Sequence, residues 1–139
     1  MQGFIAGTTD SQRLLKSLFR GHLLFLLKIS PKSLFRHPRL LSSLFQTFRY
    51  PKKVNLNQTK AELLFIAVKP ESRGRGIGSK LISRSLEELK RRGIDRVKVS
   101  VEKNNREAVN LLRKMNFSQE RSFSFYHRER ILFSYYIPR

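Results

Sequence analysis

A short stretch of glycine and arginine at residues 73–79 carries the residue types and spacing that indicate chemistry. It reads Arg-Gly-Arg-Gly-Ile-Gly-Ser and opens a pattern of helical period. Glycine has no Cβ, so the backbone can turn tightly and approach a ligand closely. The first N–H groups of a helix have no internal partner and lie at the positive end of its dipole. The stretch therefore predicts a phosphate-binding loop, with Arg73 and Arg75 as countercharges.

Two common phosphate-binding motifs do not fit this loop. The Walker pattern needs Gly-Lys-Ser/Thr after its glycines, whereas Gly78 is followed by Ser79 and Lys80. The dinucleotide fingerprint would need a glycine at position 79, where the sequence has serine. From these residues alone, a glycine-rich turn in some other α/β protein stays open as an alternative.

The elements that must position the loop follow from hydrophobic patterns. The continuous apolar run at residues 61–68 is typical of a buried strand, and residues 79–92 form an amphipathic helix that Gly93 can terminate. Further elements are a strand at 94–101, a helix from Asn104 or Asn105 to about Met115, and strands at 117–127 and 131–137 with a turn at 127–130. Since a helical crossover joins the first two strands, they should be parallel.

The first sixty residues have a different composition. Residues 3–9 predict a strand, and Thr9, Asp10 and Ser11 offer N-cap chemistry for a helix that ends near Pro31. A second amphipathic helix is predicted from Pro38 to Pro51. Residues 11–60 hold eleven Lys or Arg and no Asp or Glu, and the whole chain carries a net charge of +19. This charge favours an anionic partner, which could be nucleic acid, an acidic membrane surface or a phosphate-bearing ligand.

Composition also excludes some chemistry. The chain has no cysteine, so a disulfide framework, a thiolate zinc site and a cysteine nucleophile are ruled out. Its three histidines have no metal-ligand spacing, and we predict no metal site. The longest strictly apolar run of the basic half, residues 23–27, is far shorter than the ~20 residues that cross a membrane. No secretory signal pattern opens the chain, and we expect a cytoplasmic protein, peripheral at a membrane if the basic helices bind lipid.

Two segments of the second half resemble the acetyl-CoA motif of the GNAT superfamily of N-acetyltransferases. AELLFIAVKPESRGRGIGSKL is similar to its first part, with the pattern Arg-x-x-Gly-x-Gly, and VSVEKNNREAVNLLRKMNF is similar to its second part. The resemblance covers residues 61–137. It implies an α/β (α+β) fold with a mixed sheet, a parallel central pair, a crossover helix and a C-terminal β-hairpin. The two basic helices would be an addition to this fold.

The resemblance also implies roles for individual residues. Family members bind acetyl-CoA as co-substrate along the strand before the loop, on the loop amides, and at an asparagine that begins the later helix. The cofactor-binding residues implied here are Ile66, Ala67, Val68, Arg73, Gly74, Arg75, Gly76, Ile77, Gly78, Ser79 and Asn105. The acetyl group would pass to a primary amine of a small molecule or peptide.

Amine acetylation needs a base, because free amines are largely protonated near neutral pH. Glu62 matches the base glutamate of the histone-acetyltransferase branch of the family. Alternatively, Glu62 lies at the surface beside a lysine or arginine, and the amine is activated through water. The family's general-acid tyrosine falls at Leu112, which has no proton to donate. Tyr126, Tyr135 and Tyr136 are the candidates to replace it, although late-strand tyrosines are more often packing residues.

We expect one domain over residues 1–139: an N-terminal strand (1–10), a basic helical insertion (11–60) and an acetyl-CoA-binding core (61–139). Compared with the family, the chain as given lacks a strand, two helices and another strand before residue 3. A shortened product, a homodimer that completes the sheet, and a module that binds CoA with little turnover all stay open. The basic helices could cover the sheet or bind an anionic membrane. Nucleic acid is the least favoured partner, since no recognised binding motif is present.

Overall fold

The computed structural model describes residues 2–11, 13, 14, 16, 17 and 59–138. Within these residues five strands, two helices of nine or more residues and a short 3-10 turn follow one another. Their bounds are β1 Gly3–Thr8, β2 Ala61–Val68, the 3-10 turn Pro70–Ser72, α1 Ile77–Arg91, β3 Arg96–Glu102, α2 Arg106–Lys114, β4 Ser118–Phe125 and β5 Arg128–Tyr136. A further helix begins at Ser11, where the N–H of Arg13 donates to Asp10 Oδ1 at 2.9 Å. Asp10, one of the three predicted N-cap candidates, is therefore the N-cap of this helix.

The five strands form one mixed sheet in the order β1-β2-β3-β5-β4. β2 and β3 pair in parallel across the α1 crossover, and the other neighbours pair antiparallel. This confirms the predicted parallel central pair and C-terminal hairpin. Because side chains alternate along a strand, each residue of β3 points to the opposite face from the next.

The hydrophobic core lies between one face of the sheet and the two helices. Valines of β3 and phenylalanine of β5 meet Ile82 and Leu89 of α1 and Leu112 of α2. The apolar stripe predicted for α1 is thereby confirmed. The opposite face carries polar side chains at its centre, all of them buried: Glu62, Lys98, Ser100 and Ser134.

The ends of both helices have identifiable causes. Gly93 adopts a left-handed φ of 71°, and the N–H of Ile94 donates to the Leu89 carbonyl, which closes α1 as the sequence predicts. Asn116 takes the same role after α2, with a φ of 61°. Asparagine tolerates this conformation better than most residues. Both helices therefore end at a residue with positive φ and not at a proline.

The turn of the C-terminal hairpin differs from the prediction. It comprises Tyr126 and His127, with φ of 50° and 61°, and not residues 127–130. Two consecutive positive φ values are the mark of a type I′ turn, for which Asn-Gly is the usual sequence. The prediction was wrong because Tyr-His gives no such signal.

Several sequence predictions fall on residues that the structure does not describe. The first basic helix is confirmed at residues 11, 13, 14, 16 and 17, and its continuation lies outside the described residues. The second basic helix also lies outside them. In the part of the chain described here, no helix is long and apolar enough to cross a membrane.

Candidate functional site: a cleft between the parallel strands

The central parallel strands separate shortly after they meet. Their pairing ends at Leu63 and Val99, although both strands continue for several residues. β2 also pairs with β1, and the register of that pair shifts between Ala6 and Gly7. Leu64 therefore has no partner residue on β1. An extra residue of this kind bends a strand. β2 thus leaves β3, and its edge at residues 64–68 faces a cleft.

The cleft has a volume of about 610 Å³ and brings together almost all the residues predicted to bind acetyl-CoA. β2 and β3 form two walls, and the beginnings of α1 and α2 form the rest. Of the predicted residues the lining includes Ile66, Ala67, Val68, Arg73, Gly74, Gly76, Ile77, Gly78, Ser79 and Asn105. Arg75 is exposed and does not line the cleft, so its role as a countercharge stays a prediction.

The glycine-rich loop presents the amino-terminal end of α1 to the cleft. Gly76, with a φ of 74°, is the N-cap residue, and no side chain caps this helix. The first turn of α1 contains no acidic residue, so nothing there neutralises the positive end of its dipole. A Cβ on Gly78 would come within 2.9 Å of Leu111 Cδ2, so a larger residue there would require the Leu111 side chain to move. The loop therefore has the geometry of an anion site.

Arg73 closes one side of the cleft mouth. Its Nε donates to the Val68 carbonyl oxygen at 3.4 Å, and its Nη1 lies 3.9 Å from Glu107 Oε2 on α2. More than half of the side chain is exposed, so both contacts are weak and can be exchanged for a stronger anion. Arg73 lies between the end of β2 and the start of α2, and its role as a countercharge stays a prediction.

Asn105 is the N-cap of α2. Its Oδ1 accepts the N–H of Ala108 at 3.1 Å. The same side chain lines the cleft. Since an amide has both an acceptor and two donor hydrogens, the Nδ2 group remains able to donate to a ligand. One residue thus holds the helix end and presents a donor to the cleft.

Glu62 does not line the cleft. It lies on the polar face of the sheet, just before the strands separate, with 2% of its surface exposed. Its Oε2 is 3.9 Å from the Nζ of Lys98, which in turn donates to the Thr59 carbonyl at 3.1 Å. Burial lowers the pKa of Lys98 below its usual value, while the carboxylates of Glu62 and Asp10 oppose that shift. The surface position considered for Glu62 was wrong, whereas its pairing with a lysine is confirmed.

No tyrosine among the described residues lines the cleft. Leu112 does so, with 1% of its surface exposed, at the position of the family's general acid. Tyr135 packs on Phe117 with ring centroids 5.0 Å apart. Tyr136 lies under the Arg96 guanidinium at 4.4 Å, and Tyr126 occupies the hairpin turn. Two of these tyrosines therefore pack against other side chains and the third lies in a turn, and none of the three lines the cleft where it could donate a proton.

Sequence reasoning missed three residues of this region: Lys98, Ser100 and Arg130. Lys98 is the partner of Glu62. Ser100 and Arg130 line the cleft. A signal was present in β3, where Lys98 and Ser100 alternate with the core valines and must share the opposite face. For Arg130 no signal was available, because its place depends on the register of β5 against β3.

The fold and the cleft define an α/β domain with an anion-binding helix start beside splayed parallel strands. The model of the acetyltransferase (GNAT) family matches residues 44–117, more than half of the chain, and the chain belongs to this family. The match ends where the second motif ends and begins upstream of Ala61. No curated protein matches the chain.

Several solved structures have a similar fold. NAA60 of Arabidopsis thaliana, solved with acetyl-CoA, has a TM-score of 0.52 and 24% identity over 62% of this chain and 56% of its own. The ribosomal-protein-S18-alanine N-acetyltransferase of Escherichia coli has a TM-score of 0.51 and 22% identity over 60% and 65%. The NatC complex bound to Gag peptide and CoA has a TM-score of 0.52 and 21% identity over 56% and 51%. The chain thus spans about half to two thirds of these neighbours, and at such identity they support the fold alone.

Proposed function

We propose that this protein binds acetyl-CoA in the cleft and transfers its acetyl group to a primary amine. The observation that carries the proposal is the uncapped start of α1, which faces a cleft of about 610 Å³ between separated strands. Amides of residues 76–79 and the Arg73 guanidinium would hold the pyrophosphate. The β2 edge at residues 64–68 would pair with the amides of the pantetheine arm, and Asn105 Nδ2 would donate to the same arm.

Glu62 is our proposed base. It would take a proton from the amine, through a water molecule if the amine does not reach its buried carboxylate. The nitrogen lone pair would then attack the thioester carbonyl, and the thiolate would leave. Since Leu112 supplies no proton, the thiolate would leave as the anion or be protonated by water. The polar sheet face on which Glu62 lies is the face that we assign to the acceptor.

Thermal unfolding with excess acetyl-CoA tests the cofactor site. A ligand at ~100 times its Kd adds about 2.7 kcal/mol to the free energy of unfolding, a clear rise in midpoint. The test variant is Gly76→Asp and the control is Gly93→Asp. Both glycines have positive φ and open space at the Cβ, but only Gly76 lines the cleft. We expect Gly76→Asp to lose the rise and Gly93→Asp to keep it. A rise that survives in both variants would place the cofactor elsewhere.

Release of CoA thiol in the presence of amines tests the reaction. We expect Glu62→Gln to lower kcat by about 10²–10⁴-fold, the usual contribution of a general base. Its acetyl-CoA-dependent rise in midpoint should persist, which separates loss of the base from loss of the fold. Unchanged turnover in this variant would exclude Glu62 as the base.

A second candidate function is binding of CoA without efficient turnover. The position of Leu112 favours it, since none of the described tyrosines takes the place of the missing acid. Stabilisation by acetyl-CoA together with no thiol release over a broad amine panel would support this alternative. Membrane docking of the basic segment and a cytoplasmic location stay predictions of the sequence. Co-flotation with anionic vesicles tests membrane docking. Fluorescence imaging of the tagged protein tests the cytoplasmic location.

A further inference from the structure

Arg130 of β5 lines the cleft and lies on the polar face of the sheet. Its register partner on β3 is Glu102, and its guanidinium reaches back to Ser100. Because Val99 packs in the core beside the helices, the neighbouring Ser100 points to the other face. Arg130 therefore lies across the sheet from the helices, on the face that carries Glu62.

The guanidinium is fixed at one end. Its Nη2 donates to the Ser100 carbonyl oxygen at 2.8 Å and lies 3.3 Å from the Ser100 Oγ. Its Nε is buried and has no acceptor. A buried donor without a partner is unfavourable, since it has lost its hydrogen bond to water.

No carboxylate among the described residues pairs with Arg130. The neighbouring acids are engaged by other cations: Glu102 binds Arg128 with both contacts at 3.0 Å, and Glu129 pairs with Lys103. Across the cleft Phe65 leaves 67% of its surface exposed on the same face. The Arg130 guanidinium thus has no carboxylate partner among the described residues where it lines the cleft.

We propose that Arg130 binds a carboxylate of the acceptor, so that the acceptor is an amine which also carries a carboxylate group. The guanidinium N–H groups of Arg130 that do not bond Ser100 can donate to the oxygens of a carboxylate. The proposal rests on the proposed transferase function, because it assumes that the acceptor arrives on this face. The phosphates of acetyl-CoA belong at the start of α1, which packs on the other face.

The test compares β-alanine with β-alaninamide, two amines that differ by the carboxylate charge. Both are assayed for acetylation and titrated into the CoA-saturated protein, with the ¹⁵N–¹H signal of Arg130 Nε as readout. The wild type should favour β-alanine in kcat/KM by about 10–100-fold, as a charged hydrogen bond allows. The Nε signal should shift with β-alanine and not with the amide.

Arg130→Gln should abolish the preference and identify the Nε signal by its loss, while acetyl-CoA stabilises this variant as it does the wild type. Arg113→Gln, which removes an exposed arginine of α2 outside the cleft, should retain the preference. Weaker acetyl-CoA binding in Arg130→Gln would assign Arg130 to the cofactor and overturn the proposal. An Nε signal that ignores β-alanine would also overturn it, whatever the turnover. A shift without any turnover would keep the carboxylate site and refute the transferase function.

Discussion

Lys98 and Glu62 form the least exposed ion pair of the described residues, each with 2% of its side chain accessible. Such pairs are costly to bury and costly to break, because removing one partner leaves a charge without compensation in the protein interior. Thr59 adds a hydrogen bond to the ammonium. The pair therefore holds the side chain of Glu62, the proposed base, on the polar face of the sheet.

We predict that Lys98→Met lowers the free energy of unfolding by about 3–5 kcal/mol, since the Glu62 carboxylate stays buried without its cation. The double variant Glu62→Gln/Lys98→Met should recover much of this loss, because both charges are then gone. Urea denaturation of the wild type, both single variants and the double variant gives the coupling energy. A coupling near zero would contradict the prediction and make the pair incidental.

The same pair predicts a pH dependence. Burial lowers the pKa of Lys98, so the folded state holds this proton more weakly than the unfolded state. Between the folded pKa and the ordinary lysine value of about 10.4, the unfolded state binds more protons, and stability rises with pH. We expect the free energy of unfolding of the wild type, minus that of the double variant, to increase as the pH rises toward the ordinary lysine value. A constant or decreasing difference would disagree with this sign.

At the scale of elements, we propose two roles for Asn105 at the start of α2. Asn105→Ala should cost about 1 kcal/mol of stability, since the N–H of Ala108 loses its cap. Asn105→Asp keeps a capping oxygen and loses the Nδ2 donor, so its stability should match the wild type while its affinity for acetyl-CoA falls. Thermal unfolding with and without acetyl-CoA measures both effects. Equal affinity in Asn105→Asp and the wild type would restrict Asn105 to capping.

For the whole molecule, the position of β1 bears on assembly. β1 is the terminal strand of the described sheet and pairs with β2 on one side. Strands in such positions can pair with another chain, and a homodimer that extends the sheet stays a prediction of the sequence. Sedimentation velocity should then show twice the mass of one chain, and Ala6→Lys should return the monomer, because a lysine on an edge strand opposes pairing. A monomer at all concentrations would refute the dimer.

Local chemistry in the sequence determined the order and type of the elements of residues 61–137, apart from the hairpin turn. The resemblance to the family indicated most of the residues that line the cleft. Glycines at 74, 76 and 93 impose backbone conformations that few other residues adopt, and the valines of β3 mark one buried face. Asn105 indicates the start of α2, because an asparagine side chain can cap the first turn of a helix. Such signals act within a few residues and can be read along the chain.

The tertiary structure alone decided how the strands separate and what lies on the polar face. The irregularity at Leu64 arises from the register between β1 and β2, which are more than fifty positions apart in sequence. The partnership of Glu62 with Lys98 and the place of Arg130 depend in the same way on strand register. Register is fixed by packing of the entire sheet, because a shift of one residue would turn every side chain to the other face. No local pattern therefore reveals which charges meet.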